Sequence, residues 1–187
     1  MKKNSLSISI LILYGSRTKQ SITVTLTRSR KNMTDKMISG IYVATVAGGP
    51  MSGHSSVSIK AGKGIEGDRY FSKTGKNRST YRGQPDFEIT LIESEVIEAF
   101  NRQTSNKFHE SDFRRNLITK GVRLNDLEGK DFTVNGIKMF GVRLCEPCAS
   151  LQRRLATSIL PELVGKGGLR AQIKSNGVLK LGDIVVE

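Results

Sequence analysis

From Gly40 onward, short apolar runs alternate with polar residues and are separated by Gly, Asn and Asp. Ile41-Tyr42-Val43-Ala44-Thr45-Val46 and Ser56-Val57-Ser58-Ile59-Lys60 read as strands, the second with the period of two expected of a half-buried strand. Phe87 to Ile92 is a third such run. It leads into a segment with Val96, Ile97 and Phe100 on one helical face and Glu93 and Glu95 where acids favour a helix start, so a helix of about ten residues is expected there. Asn135-Gly136 lies between Phe132-Thr133-Val134 and Ile137-Lys138-Met139-Phe140, and Asn176-Gly177 between Ala171-Gln172-Ile173 and Val178-Leu179-Lys180. Both dipeptides predict type I′ hairpins, because both central residues of that turn need positive φ. Between them Cys148 precedes Ala149 to Leu155, whose Leu151 and Leu155 stand at i and i+4, which puts a thiol near a helix start. Many short strands, tight turns and two helices predict a mainly β fold, an antiparallel β-barrel with a few short helices.

The first 35 residues have a different texture. They hold seven Lys/Arg against one Asp, show no sustained period, and contain one apolar stretch after Lys2 and Lys3. A charged start and an apolar patch resemble an export leader, but no small-x-small cleavage site follows Gly15, and Arg17, Lys19, Arg28 and Arg30 come soon after. The division expected is therefore 1–35, a basic and disordered extension or a start assigned too early (Met33 and Met37 being alternatives), and 36–187, the globular domain. The apolar run Ile8 to Tyr14 is far below the roughly 18 residues of a membrane span, so no membrane association is expected.

The net charge of +13 favours anionic ligands without naming one. A basic nucleic-acid-binding module is one reading, weakened by few aromatics for base stacking and by the lack of a nucleic-acid motif. Three chemical readings compete at Cys145-Glu146-Pro147-Cys148. A structural zinc site lacks partners, since His54 and His109 are each alone and distant. A thioredoxin-like pair lacks its βαβ context. The third is a soft-metal or persulfide thiolate at Cys148, favoured by a helix start, with Cys145 as a secondary or resolving thiol. Basic segments flank this motif: Gly67-Asp68-Arg69, Phe113-Arg114-Arg115-Asn116, and Gly165-Lys166-Gly167-Gly168-Leu169-Arg170. Arginine forks suit phosphate, and glycine lets a backbone approach an anion. On a strand, Arg114 and Arg115 would point to opposite faces, so at most one could face a given pocket.

Six elements then stand in register: Gly64-Ile65-Glu66-Gly67-Asp68-Arg69-Tyr70; Ile89 to Glu93; Arg114 to Thr119 with Gly121-Val122; Arg143-Leu144-Cys145-Glu146-Pro147-Cys148; Gly167 to Ala171; and Leu181-Gly182-Asp183. In this order they resemble MOSC domains, of the stand-alone bacterial kind. The resemblance implies a β-barrel of the pyruvate-kinase barrel type and a molybdenum cofactor, molybdopterin, held by a cysteine thiolate, or a cysteine carrying sulfur as a persulfide. Cys148 is the matching residue. By motif position the resemblance also implies Arg69, Arg115 and Arg170 at the cofactor's phosphate, with Asn116 at the pterin or phosphate. Thr90 and Glu93 would line the cavity, Glu93 being better explained as a helix-start acid stabilised by the dipole.

The function expected is reduction of N-hydroxylated compounds, with Cys148 as molybdenum ligand and Cys145 beside it. Two cysteines cannot hold an iron–sulfur cluster, so electrons must come from a separate reductase. The alternative is a sulfur carrier that receives sulfane sulfur from a cysteine desulfurase on Cys148. A thiol that must stay reduced places the protein in the cytoplasm.

Overall fold

The computed structural model describes residues 36–71 and 84–187, together with the backbone of two strands before them. Those two, β1 (Leu6–Ile12) and β2 (Gln20–Leu26), pair antiparallel from Leu6↔Leu26 to Ile12↔Gln20. They belong to a unit of residues 1–33, and residues 34–187 form a second. The leader, cleavage and alternative-start readings attached to Lys2, Lys3, Gly15, Arg17, Lys19, Arg28, Arg30 and Met33 lie outside the described residues. Among the described residues no helix is long and apolar enough to cross a membrane.

The second unit is mainly β. Its strands are β3 (Met37–Val43), β4 (Ser52–Gly53), β5 (Ser56–Lys60), β6 (Gly64–Ile65), β7 (Ile89–Glu93), β8 (Leu117–Lys120), β9 (Asp131–Val134), β10 (Ile137–Leu144), β11 (Leu169–Ile173), β12 (Gly177–Lys180) and β13 (Val185–Val186). Eight of them form one sheet in the order β13-β9-β10-β11-β7-β8-β3-β4. This sheet curls until β3 meets the residues entering β13, through a Met37↔Ile184 bridge and the bonds Ile38 N to Asp183 O (2.9 Å) and Val185 N to Lys36 O (2.9 Å). Inside lies the larger core, including Ile38, Ile41, Leu91, Leu117, Val134, Met139 and Leu169. The small sheet β12-β5-β6 adds Val57, Ile59, Ile65 and Leu179 to the same core. In β5 the expected alternation is visible, Val57 and Ile59 buried and their neighbours exposed.

The predicted helix is α1 (Ser94–Gln103), ten residues long, with Ile97 and Phe100 buried. It crosses from β7 to β8, which pair in parallel, Leu91 beside Leu117. An all-antiparallel sheet was expected. The parallel pair arises because α1 and the chain after it supply the long crossover that parallel neighbours need. Buried on both faces, as parallel strands commonly are, β7 and β8 send Leu91 and Leu117 inward and Ile92 and Ile118 to a second core. That outer core joins α1 to α2 (Ala149–Leu155) and α3 (Leu160–Leu163) through Phe113, Leu151, Leu155, Ile159 and Leu163.

Asn135 (φ 48°) and Gly136 (φ 79°) form the predicted tight turn between β9 and β10. Asn176-Gly177 does not form its predicted hairpin. After β11, which pairs with β10 and β7, the chain leaves the barrel and β12 pairs with β5 instead. Asn176 accepts a bond from Ala61 N (2.9 Å), and a side chain at Gly177 would collide with Ile137. Glycine serves close approach here rather than a turn.

Glu88 links the outer turn to the barrel, accepting from Gly62 N (3.2 Å) and Ile173 N (2.8 Å). Burial raises its pKa above the ordinary 4.5 although both bonds oppose the shift. Because the folded state binds this proton more tightly than the unfolded chain, its contribution is complete below the ordinary value and is lost as pH rises through the raised one. Glu88→Gln keeps an acceptor and removes the charge. The stability of wild type relative to Glu88→Gln is therefore expected to fall as pH is raised from 4.5 towards neutral in urea titrations. A pH-independent difference contradicts this.

Candidate functional site

Cys148 is the N-cap residue of α2, in extended conformation (φ −129°, ψ 156°), and is exposed. Pro147 before it keeps the preceding chain out of helix, and Leu151 and Leu155 pin α2 to the outer core. Its carbonyl accepts from Gln152 N (3.0 Å), while the side chain caps nothing and is left at the surface. Cys145 differs. It is 2% exposed, and its backbone N–H donates to Gly168 O (2.7 Å). The structure thus separates the two thiols into one accessible and one buried.

At the far end of α2, about 9 Å along the axis for six residues, Arg154 donates to Gly48 O (2.8 Å). Arg114 donates to the next carbonyl, Gly49 O. Arg114 is the C-cap of a short 3-10 turn, Glu110–Phe113, and adopts a left-handed conformation (φ 61°, ψ 32°). This corrects the strand geometry expected for Arg114 and Arg115: the turn, capped by His109 and Asp112, ends at Phe113, so strand alternation does not apply to them. Burial, and after it the positive charges of Arg69 and Arg154, lower the pKa of Arg114 to about 10, with Asp68 and Tyr70 opposing. At neutral pH it remains a cation. Arg69, Arg114 and Arg154 therefore form one electropositive group, partly offset by Asp68.

The other predicted residues bond to the surrounding protein. Arg115 donates to Gly167 O (2.9 Å) and Phe113 O (3.1 Å), tying the turn to the entry of β11. Arg170 donates to Asp86 O (3.1 Å), lies over the Phe87 ring, and keeps a buried Nε with no hydrogen-bond partner. Phe87 packs on Tyr70, over which Arg69 sits, so a ladder of two arginines and two rings runs along this side. Asn116 is 8% exposed and engaged internally. Its Oδ1 accepts from Thr90 N (3.1 Å) and Thr90 Oγ1 (2.9 Å), and its Nδ2 donates to Tyr42 O (3.2 Å) and Asp68 Oδ2 (3.4 Å). Glu93 accepts from Leu124 N (2.7 Å) rather than capping α1, and burial raises its pKa. Tyr42 donates to Glu110 (2.9 Å), and its phenol is pushed up to about 12, first by burial and then by that bond and charge.

Arg114 and Arg154 were absent from the phosphate-binding residues expected on sequence. The available signal was Ala47-Gly48-Gly49-Pro50, a glycine loop whose bare carbonyls two arginines could reach. Gly167 and Gly168, expected to admit an anion, instead admit protein backbone: a Cβ on Gly167 would overlap the Cys145 carbonyl, and one on Gly168 the Leu91 carbonyl. Among the described residues no group of three or more His, Cys, Asp or Glu converges as a metal cage. A depression of ≈ 160 Å³ lined by Val96, Phe100, Glu162 and Lys166 contains none of the predicted residues.

Among solved structures, the chain is similar to the YuaD protein of Bacillus subtilis, with TM-score 0.66 at 17% identity, covering 80% of this chain and 93% of that one. It is also similar to YiiM of Geobacillus stearothermophilus, with TM-score 0.60 at 17% identity, covering 81% and 74%. YiiM of Escherichia coli gives TM-score 0.57 at 16% identity, covering 81% and 67%. At such identities the likeness shows the fold. Comparison with curated proteins gave no match. The family model described as the MOSC domain matches residues 78–186, more than half of the chain, which therefore belongs to the MOSC domain family.

Proposed function

We propose that this protein binds molybdenum cofactor and reduces N-hydroxylated compounds, with Cys148 as the metal's protein ligand and Arg69, Arg114 and Arg154 at the cofactor's phosphate. The MOSC family is associated with binding of that cofactor. The observation that carries the reading is an accessible thiol at one end of α2 and a cationic group at the other. The donor set fits the group. A single soft thiolate suits a metal that arrives with its own chelating dithiolene, and clustered guanidiniums suit its anionic tail. Arg115, Arg170, Asn116 and Thr90, expected at the cofactor from motif position, are also bonded to protein, Arg170 with its Nε left without a partner.

When bound, the cofactor supplies a two-electron couple able to remove oxygen from nitrogen: R–NHOH with two electrons and two protons gives R–NH2 and water. The chain's own part is to hold the group by the Cys148 thiolate and to neutralise its phosphate. Arg114 stays protonated at neutral pH, so an entering phosphate relieves its repulsion with Arg69 and Arg154. An electron-donating reductase completes the scheme, and the cytoplasm suits a thiol that must remain reduced.

The test is conversion of benzamidoxime to benzamidine by cofactor-loaded protein, with reduced methyl viologen as donor. Turnover in wild type and its loss in Cys148→Ala are expected. Loaded wild type without turnover would overturn the reductase reading. Exposure of Cys148 also favours a sulfur-carrier reading, in which a desulfurase persulfide passes its outer sulfur to the thiolate. Cyanide-releasable sulfur on wild type after incubation with desulfurase and cysteine would mark that role.

A further inference from the structure

The loop from Ala44 to Met51 joins β3 to β4 and is held in two different ways. Its base is built into the fold: Ala44 N donates to Asp68 Oδ2 (3.3 Å), and Arg69 N donates to Ala44 O (2.8 Å). Thr45 to Gly48, towards its tip, are exposed, Val46 at 56%, and the tip's internal backbone bond is Gly49 N to Val46 O (3.2 Å). What fastens the tip to the domain is a pair of arginines from two other elements, Arg114 on Gly49 O and Arg154 on Gly48 O. These are two of the three guanidiniums of the cationic group.

We infer that the tip of this loop, residues 46–50, is an anion-released latch over that group. A phosphate oxygen carries the negative charge a carbonyl lacks, and two phosphate oxygens can pair with one guanidinium side by side, so a phosphate-bearing ligand takes Arg114 and Arg154 from the two carbonyls. Gly48, at φ 77°, gives the freed tip a residue that crosses backbone regions at little steric cost. The neutral carbonyls thus hold both arginines in place before a ligand arrives, and the ligand itself opens the tip. This inference rests on the reading of Arg69, Arg114 and Arg154 as an anion site.

Amide hydrogen exchange of the full chain, with inorganic phosphate or with chloride at matched ionic strength, tests it alongside calorimetric titration of phosphate. Phosphate is expected to speed exchange of the Gly49 amide, bonded to Val46 O (3.2 Å), by roughly tenfold, as loss of a bond to a charged group implies. The His54 amide, bonded to Ile41 O (2.9 Å), should stay unchanged. Arg154→Gln should speed exchange of the Gly49 amide without phosphate while leaving the His54 amide protected. Phosphate binding with unchanged or slower loop exchange overturns the latch and leaves the anion site standing. No phosphate binding overturns both.

Discussion

Asn116→Leu is expected to lower the unfolding free energy of cofactor-free protein by about 3–5 kcal/mol, the range for stranding several buried polar groups at once. The side chain is similar in size, so the loss comes from hydrogen bonds rather than volume. Thr90 N and Thr90 Oγ1 lose their acceptor, and Tyr42 O and Asp68 Oδ2 lose a donor. Asn116 links β7, through Thr90, to β3, through Tyr42, and to the turn bearing Asp68, so its loss loosens the barrel beside the arginine group. Urea denaturation of the variant reads this directly. A variant as stable as wild type that binds cofactor poorly would return Asn116 to the ligand-contacting role its motif position implied.

Gly168→Ala is expected to be at least as damaging, costing about 3 kcal/mol or more and reducing soluble yield. At φ 103° the residue occupies a region closed to L side chains at low energy, which alone costs about 1–3 kcal/mol. The added Cβ would also overlap the Leu91 carbonyl, which is backbone of a central strand and cannot turn aside. Gly168 O accepts from Cys145 N (2.7 Å), so any shift is passed to the segment that positions Cys148. Gly136→Ala is the control. It too has positive φ (79°), but nothing lies within 4 Å of its Cβ, so its cost is the backbone term alone. Equal losses in the two variants would contradict the close-approach argument.

What the sequence made legible was whatever local chemistry decides. Val57 and Ile59 alternate with polar neighbours and form a half-buried strand. Asn135 and Gly136 tolerate positive φ and make a tight turn, and Ile97 and Phe100 mark the buried side of α1. Non-local pairing was not legible. Asn176-Gly177 carries the same hairpin signal, yet β12 gains more by pairing with β5 and burying Leu179 in the barrel core. The parallel β7–β8 pair follows from where the crossover lands, which periodicity does not encode. At the site, a thiol at a helix start was readable from Cys148 and the Leu151–Leu155 spacing, while its exposure came from the structure. The arginines were not, because Arg114 sits in a left-handed cap after a turn built by His109 and Asp112, and rules for strands misassign its direction.

The most direct test of the account is the molybdenum and pterin content of protein purified under reducing conditions from a cofactor-competent host, wild type beside Cys148→Ala. Cys148 is exposed and makes no cap, so its replacement leaves the fold intact and isolates the thiol. Near-stoichiometric molybdenum and pterin in wild type, with the metal lost in Cys148→Ala, is the predicted result. Metal absent from both proteins, or retained equally by both, would contradict the claim that Cys148 holds a molybdenum cofactor.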